Sequence, residues 1–164
     1  MSRRGQALVE FALVSMIMFV VVFAIVDFGY LFASRVNAYA ATRIAVRYAA
    51  THPTAWTPSA TPAADTIEGH LNLTNLQPKV PNDDAHITIG YYVAGSGGET
   101  LCGTYSVSSA SFVAQTGYTQ ATCVIPGDLI RVRATYLYGW ITPLLHSTFP
   151  SVPISTDASA LEEI

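Results

Sequence analysis

Charge is what this sequence has least of. Charged residues make up 12% of the 164 positions, about half the share usual in a soluble domain. Past residue 50 the only basic residues are Lys79, Arg131 and Arg133, against nine acids, a formal charge of 3 − 9 = −6. Nucleic acid and anionic membrane surfaces are therefore poor partners for that region. Cysteine is almost absent: Cys102 and Cys123 are the two, with no C-x-x-C and no Cys/His pattern at metal-ligand spacing. His52, His70, His86 and His146 are scattered, and no phosphate loop, dinucleotide fingerprint or nucleophile elbow occurs. Asp27-Phe28-Gly29 spells a kinase motif, but it closes an apolar run with no kinase-sized domain behind it. The chain reads as a non-enzyme, with no metal and no cofactor implied.

What the sequence does have is a long hydrophobic stretch at its start. Between Phe11 and Val26 only Ser15 is polar, and Ala7-Leu8-Val9 extends the run with Glu10 as its one charge. Twenty helical residues rise about 30 Å, the thickness of a bilayer core. Val, Ile and Phe favour strand, yet a lone strand cannot satisfy its backbone in lipid, so the run predicts a helix. Three fates are open to it. Ala38-Tyr39-Ala40 offers a signal-peptidase pattern, although Asp27 and Arg35 intervene and the run is long for a signal. An uncleaved anchor is the second. Arg3 and Arg4 favour an inside N-terminus, but Arg35, Arg43 and Arg47 follow the span and blur the count.

The third fate uses more of the residues. Gly5-Gln6-Ala7-Leu8-Val9-Glu10-Phe11-Ala12-Leu13-Val14, with Asp27-Phe28-Gly29 and the alanine-rich stretch from Ala40 to Ala50, resembles the TadE-like family of the type IV pilin superfamily. The resemblance implies a minor pilin or pseudopilin of the tight-adherence (Tad) pilus. It implies a leader over residues 1–5 cut between Gly5 and Gln6 by a prepilin peptidase, an assembly helix over 6–50 and an extracytoplasmic domain over 51–164. Glu10 would then correspond to the glutamate that pairs with the N-terminal amine of an adjacent subunit, with Phe11 beside it. Major Tad pilins are expected to carry Glu-Tyr there; Glu10-Phe11 and the large downstream domain favour a minor subunit. The implied partners are the peptidase, other pilin subunits, the assembly platform and the bacterial inner membrane. A plain membrane-anchored binding domain is the alternative.

Downstream, an α+β domain is expected: a short helix and a small antiparallel sheet packed on the outer half of the long helix. From residue 30 the helix reads as amphipathic, with Arg35, Tyr39, Arg43 and Arg47 on one stripe and Asn37, Ala41, Ile44, Ala45 and Tyr48 on another. The basic stripe reads as solvated surface. Asp27 would mark the outer water interface, and Gly29 would allow close helix approach or flexing. Thr51-His52-Pro53 stops the helix, and Pro53, Pro58 and Pro62 mark a linker. Thr61-Pro62 opens a helix over about 62–75, with Ala64, Ile67 and Leu71 inward. Asn82-Asp83-Asp84 reads as a turn, not a calcium loop. Alternation predicts strands around Ile87 to Val93, Ile130 to Tyr138 and Val152 to Ala158. Residues 99–122 have short strand-like pieces but no sustained period, and read as a long loop. In it Tyr105, Phe112 and Tyr118 either form a binding surface or simply pack. Cys102 and Cys123 would staple the loop as one disulfide in an oxidising compartment, or lie buried as free thiols.

Overall fold

The structure, a computed structural model, describes residues 3–59, 61–72, 80–95 and 97–163. Helix α1 runs Arg3–Thr51, ending where Pro53 makes continuation impossible. Five strands form one sheet: β1 (Ile87–Gly95), β2 (Gly98–Ser106), β3 (Ser111–Ala114), β4 (Leu129–Tyr138) and β5 (Val152–Leu161), in the order β3-β2-β1-β4-β5. Helix α2 is Ile67–Asn72, α3 is Gln120–Cys123 and α4 is Pro143–Thr148. The fold is α+β, with a long apolar helix, short helices and an antiparallel sheet.

The chain divides into two compact units. One holds α1 as far as Ala33 together with Gly139–Val152. The other holds Ser34–Tyr138 and Pro153–Ile164.

In the second unit α1 is held by its small residues. Ala38, Ala41, Thr42, Ala45, Val46 and Ala49 are buried, and Thr42 Oγ1 meets Thr156 Oγ1 of β5 at 2.8 Å. Tyr136 donates its hydroxyl to the Ser34 carbonyl at 2.8 Å. Alanine at these positions lets helix backbone approach the sheet closely. The buried stripe is offset from the one read in the sequence: Asn37 and Ile44 are exposed, while Ala38, Thr42 and Val46 face in. Alanine carries too little hydrophobic contrast to reveal which side turns inward, so only the sheet decides.

On the sheet's covered face Ile87, Ile89 and Tyr91 of β1 lie beside Ile130, Val132, Ala134 and Tyr136 of β4, all at most 2% exposed. Each such aliphatic burial contributes about 1.5–3 kcal/mol. Arg131 and Arg133 take the other face, where Arg131 pairs with Glu99 at 2.7 Å and lies over the Tyr92 ring.

Three expectations need correction. Residues 99–122 are not a loop: β2 pairs with β1 through a hairpin, and β3 pairs with β2. A register shift between Tyr91 and Tyr92 breaks the two-residue period, which hid the strand. The proline segment is not a free linker either. Pro53 and Thr57 are buried, Ile67 N–H bonds the Ala55 carbonyl, and Trp56 stacks on Tyr105 at 4.6 Å while its indole donates to Tyr91 Oη. Thirdly, α2 starts at Ile67, not at Pro62. Thr66 rather than Thr61 caps it, accepting from Gly69 N–H at 3.1 Å, and the rest of the expected helix, 73–75, lies outside the described residues.

Burial raises the pKa of two carboxyl groups, Glu68 and Glu162, and Glu162 the further. Glu162 follows β5 and is 3% exposed. Burial first, and the Asp128 carboxylate second, push its pKa up from 4.5 to about 7. The folded chain thus holds the proton more tightly than the unfolded one. The resulting stability is complete below pH 4.5 and is lost as pH rises towards 7. Glu162→Gln should gain stability over wild type between pH 4 and pH 8, by about 1–2 kcal/mol, seen as a Tm offset that grows with pH. Thermal unfolding of the detergent-solubilised full chain at both pH values checks this; a pH-independent offset contradicts it.

Candidate functional site

The helix end that carries the sequence signature is bare. Gly5, Gln6, Glu10 and Phe11 all lie on α1 and are exposed. Glu10 has no ion-pair partner among the described residues. Leu8, Phe11, Leu13, Ile17 and Phe23 project all round the helix, each at least 45% exposed. Such a surface is untenable in water and natural in lipid or in a bundle of like helices. Among the described residues this is the one helix long and apolar enough to cross a membrane.

A second cluster closes the apolar run. Asp27 is met there by the chain's own groups and is fully buried. The backbone N–H groups of Ile141 and Thr142 donate to Asp27 Oδ1 at 2.9 and 3.2 Å, and the Thr142 hydroxyl donates to Oδ2. Thr142 is the N-cap of α4, with Pro143 at the first turn. Asp27 therefore supplies, from 115 positions away, the acceptor that the start of α4 needs. Beside it Phe28 meets Trp140 edge-on at 5.7 Å, and Trp140 lies 6.2 Å from Phe149. Gly29 has open space within this chain where a Cβ would stand.

Cys102 on β2 and Cys123 at the end of α3 are both buried and form a disulfide, with Cα atoms 5.7 Å apart. Tyr105 and Phe112 pack with Trp56 and Tyr91 instead of facing outward, while Tyr118 is half-buried. Gly103 passes under the Phe112 ring, where a Cβ would come within 2.3 Å. Arg43 and Arg47 of α1, Arg131 and Asp157 line an open groove of about 900 Å³, with Arg43 over the Tyr39 ring. Asp83 and Asp84 are spent on turns: Asp83 accepts from the N–H groups of Ala85 and His86, and Asp84 from those of Val107 and Ser108.

One exposed apolar helix, with its terminal aspartate sheathed by the chain's own backbone, fits a single-pass membrane anchor. Within that class the segment is specific: residues 5–47 match the model of the family described as TadE-like protein, a Tad-pilus-associated family. The match covers most of α1 and none of the sheet. No curated protein and no solved structure matches the chain significantly.

Proposed function

We propose that this chain is a minor pilin or pseudopilin of a Tad-type pilus, acting by assembly and not by catalysis. The observation that carries the reading is an exposed apolar helix with a glutamate near its start that has no ion-pair partner among the described residues, inside the stretch that matches the TadE-like family. Before assembly the helix holds the chain in the inner membrane with the sheet outside the cytoplasm. A prepilin peptidase cuts between Gly5 and Gln6. Loss of Arg3 and Arg4 changes the formal charge from −3 to −5 and leaves an amine at the helix start. In a low-dielectric bundle a lone carboxylate is costly and a neighbouring ammonium cancels it, so Glu10 pairs with the amine of an adjacent subunit. Phe11 and its neighbours exchange lipid for helix contacts in the same step.

The test is the N-terminal residue of the native protein, read by mass spectrometry from cells with an active prepilin peptidase. Gln6 is expected, and Met1-started chains should accumulate when the peptidase is absent. Met1 or Ser2 with the peptidase present marks a plain anchored domain, and Ala41 a secreted one.

A further inference from the structure

The β4–β5 connection is the part of the molecule that pilus assembly through α1 does not use. Gly139–Val152 leaves the sheet, forms α4 and groups with the apolar half of α1. Its fourteen residues contain no Asp, Glu, Lys or Arg, although the chain beyond residue 50 carries a formal −6. Ile141 and Phe149 are each 52% exposed, and Phe28, in edge contact with Trp140, is 59% exposed. On α1, Phe28 follows closely on Ile25 and Val26, the exposed last residues of the apolar run.

We propose that Gly139–Val152 is a membrane-interface foot: Trp140, Ile141 and Phe149, with Phe28, seat in the interfacial layer of the bilayer that α1 crosses. This rests on residues 6–26 spanning a membrane and not on pilus assembly. A run of about 20 residues from Ala7 fills the hydrocarbon core and ends at Val26, which puts Phe28 and Trp140 at the boundary where aromatic rings concentrate. Trp140 suits that layer, because its indole N–H donates to the Pro150 carbonyl at 2.9 Å while its ring lies among Phe28 and Phe149. Asp27 would be costly at the same depth as an open charge. The N–H groups of Ile141 and Thr142 and the Thr142 hydroxyl enclose it, so the foot both covers the carboxylate and is held in place by it. Lipid is favoured over an acidic or basic protein partner because the patch offers no charge to read. Attachment is apolar and independent of lipid charge.

The test is quenching of Trp140 by brominated phosphatidylcholine in vesicles carrying the full chain. The chain has two tryptophans, so Trp56→Phe isolates Trp140 and Trp140→Phe isolates Trp56. Bromine at carbons 6 and 7 should lower Trp140 emission by about twofold or more, with less effect from carbons 11 and 12 and little on Trp56. The quenching should persist at high salt. Should Trp56→Phe not fold, wild type against Trp140→Phe gives the same answer, since the quenchable emission must vanish with Trp140. Trp140 quenched no more than Trp56 in vesicles that still float with the chain overturns the foot and leaves the span intact. Emission that instead follows the chain-to-lipid ratio assigns the patch to a second copy and also overturns it. A chain that fails to float removes the span and the foot together.

Discussion

Glu10→Ala is expected to leave the protein in the membrane fraction at its normal level and to cut its recovery in sheared pili by about tenfold or more. Insertion depends on the apolar run, which the substitution makes more apolar. In the proposed assembly a charge must be cancelled: without the carboxylate, the amine that cleavage would leave at Gln6 of a neighbouring chain would enter the helix bundle unpaired. Breaking one side of a desolvated pair costs more than the pair itself contributes, because the remaining charge stays buried. Glu10→Gln should fail to the same degree, since it keeps the shape and loses the charge. Processing at Gly5 must be measured alongside by mass spectrometry. A variant that is cut normally and still not incorporated supports pairing; normal incorporation of either variant ends the role given to Glu10.

Gly69→Ala is expected to destabilise the sheet unit by about 2–4 kcal/mol, a loss in Tm visible in thermal unfolding of the full chain. Helix propensity alone points the other way, since replacing glycine by alanine inside a helix gains about 1 kcal/mol. In α2, however, a Cβ at Gly69 would stand 1.8 Å from the Ala63 carbonyl oxygen and 2.8 Å from its carbon. Those are backbone atoms, so no rotamer change relieves the overlap. Moving Ala63 also disturbs Thr66, whose hydroxyl bonds the Ala63 carbonyl, accepts from Gly69 N–H and meets Thr57 Oγ1 at 2.5 Å. From there the disturbance reaches Thr57, whose N–H bonds the buried Glu68 carboxylate. A variant as stable as wild type would show that the Ala63 turn can shift at little cost.

The apolar helix is legible from sequence because its cause is local: a bilayer core demands about 20 apolar residues in a row, and no distant contact can change that demand. The helix stop at Pro53 and the alternation of β4 are legible for the same reason, since each follows from a few neighbouring residues. The resemblance around Gly5, Gln6 and Glu10 is local as well, and it coincides with the family match over residues 5–47. Where the function must be read from the downstream region, the sequence offers little, because its acids, histidines and aromatics have no telling spacing.

Other features belong to the tertiary structure. Which alanines of α1 turn inward depends on where Thr156 and Tyr136 lie. The β1–β2 hairpin is masked by its own bulge, and the proline segment is held by distant partners, Trp56 by Tyr91 and Tyr105 and Ala55 by Ile67. Asp27 shows the difference most plainly. Sequence places a charge at the end of a span and predicts that water will meet it. Folding meets it instead with the N–H groups of residues 141 and 142, because the start of α4 has unsatisfied donors and a buried carboxylate has unsatisfied acceptors. Bonds between positions 115 residues apart have no signature in a local pattern; only the fold that brings both ends together decides them.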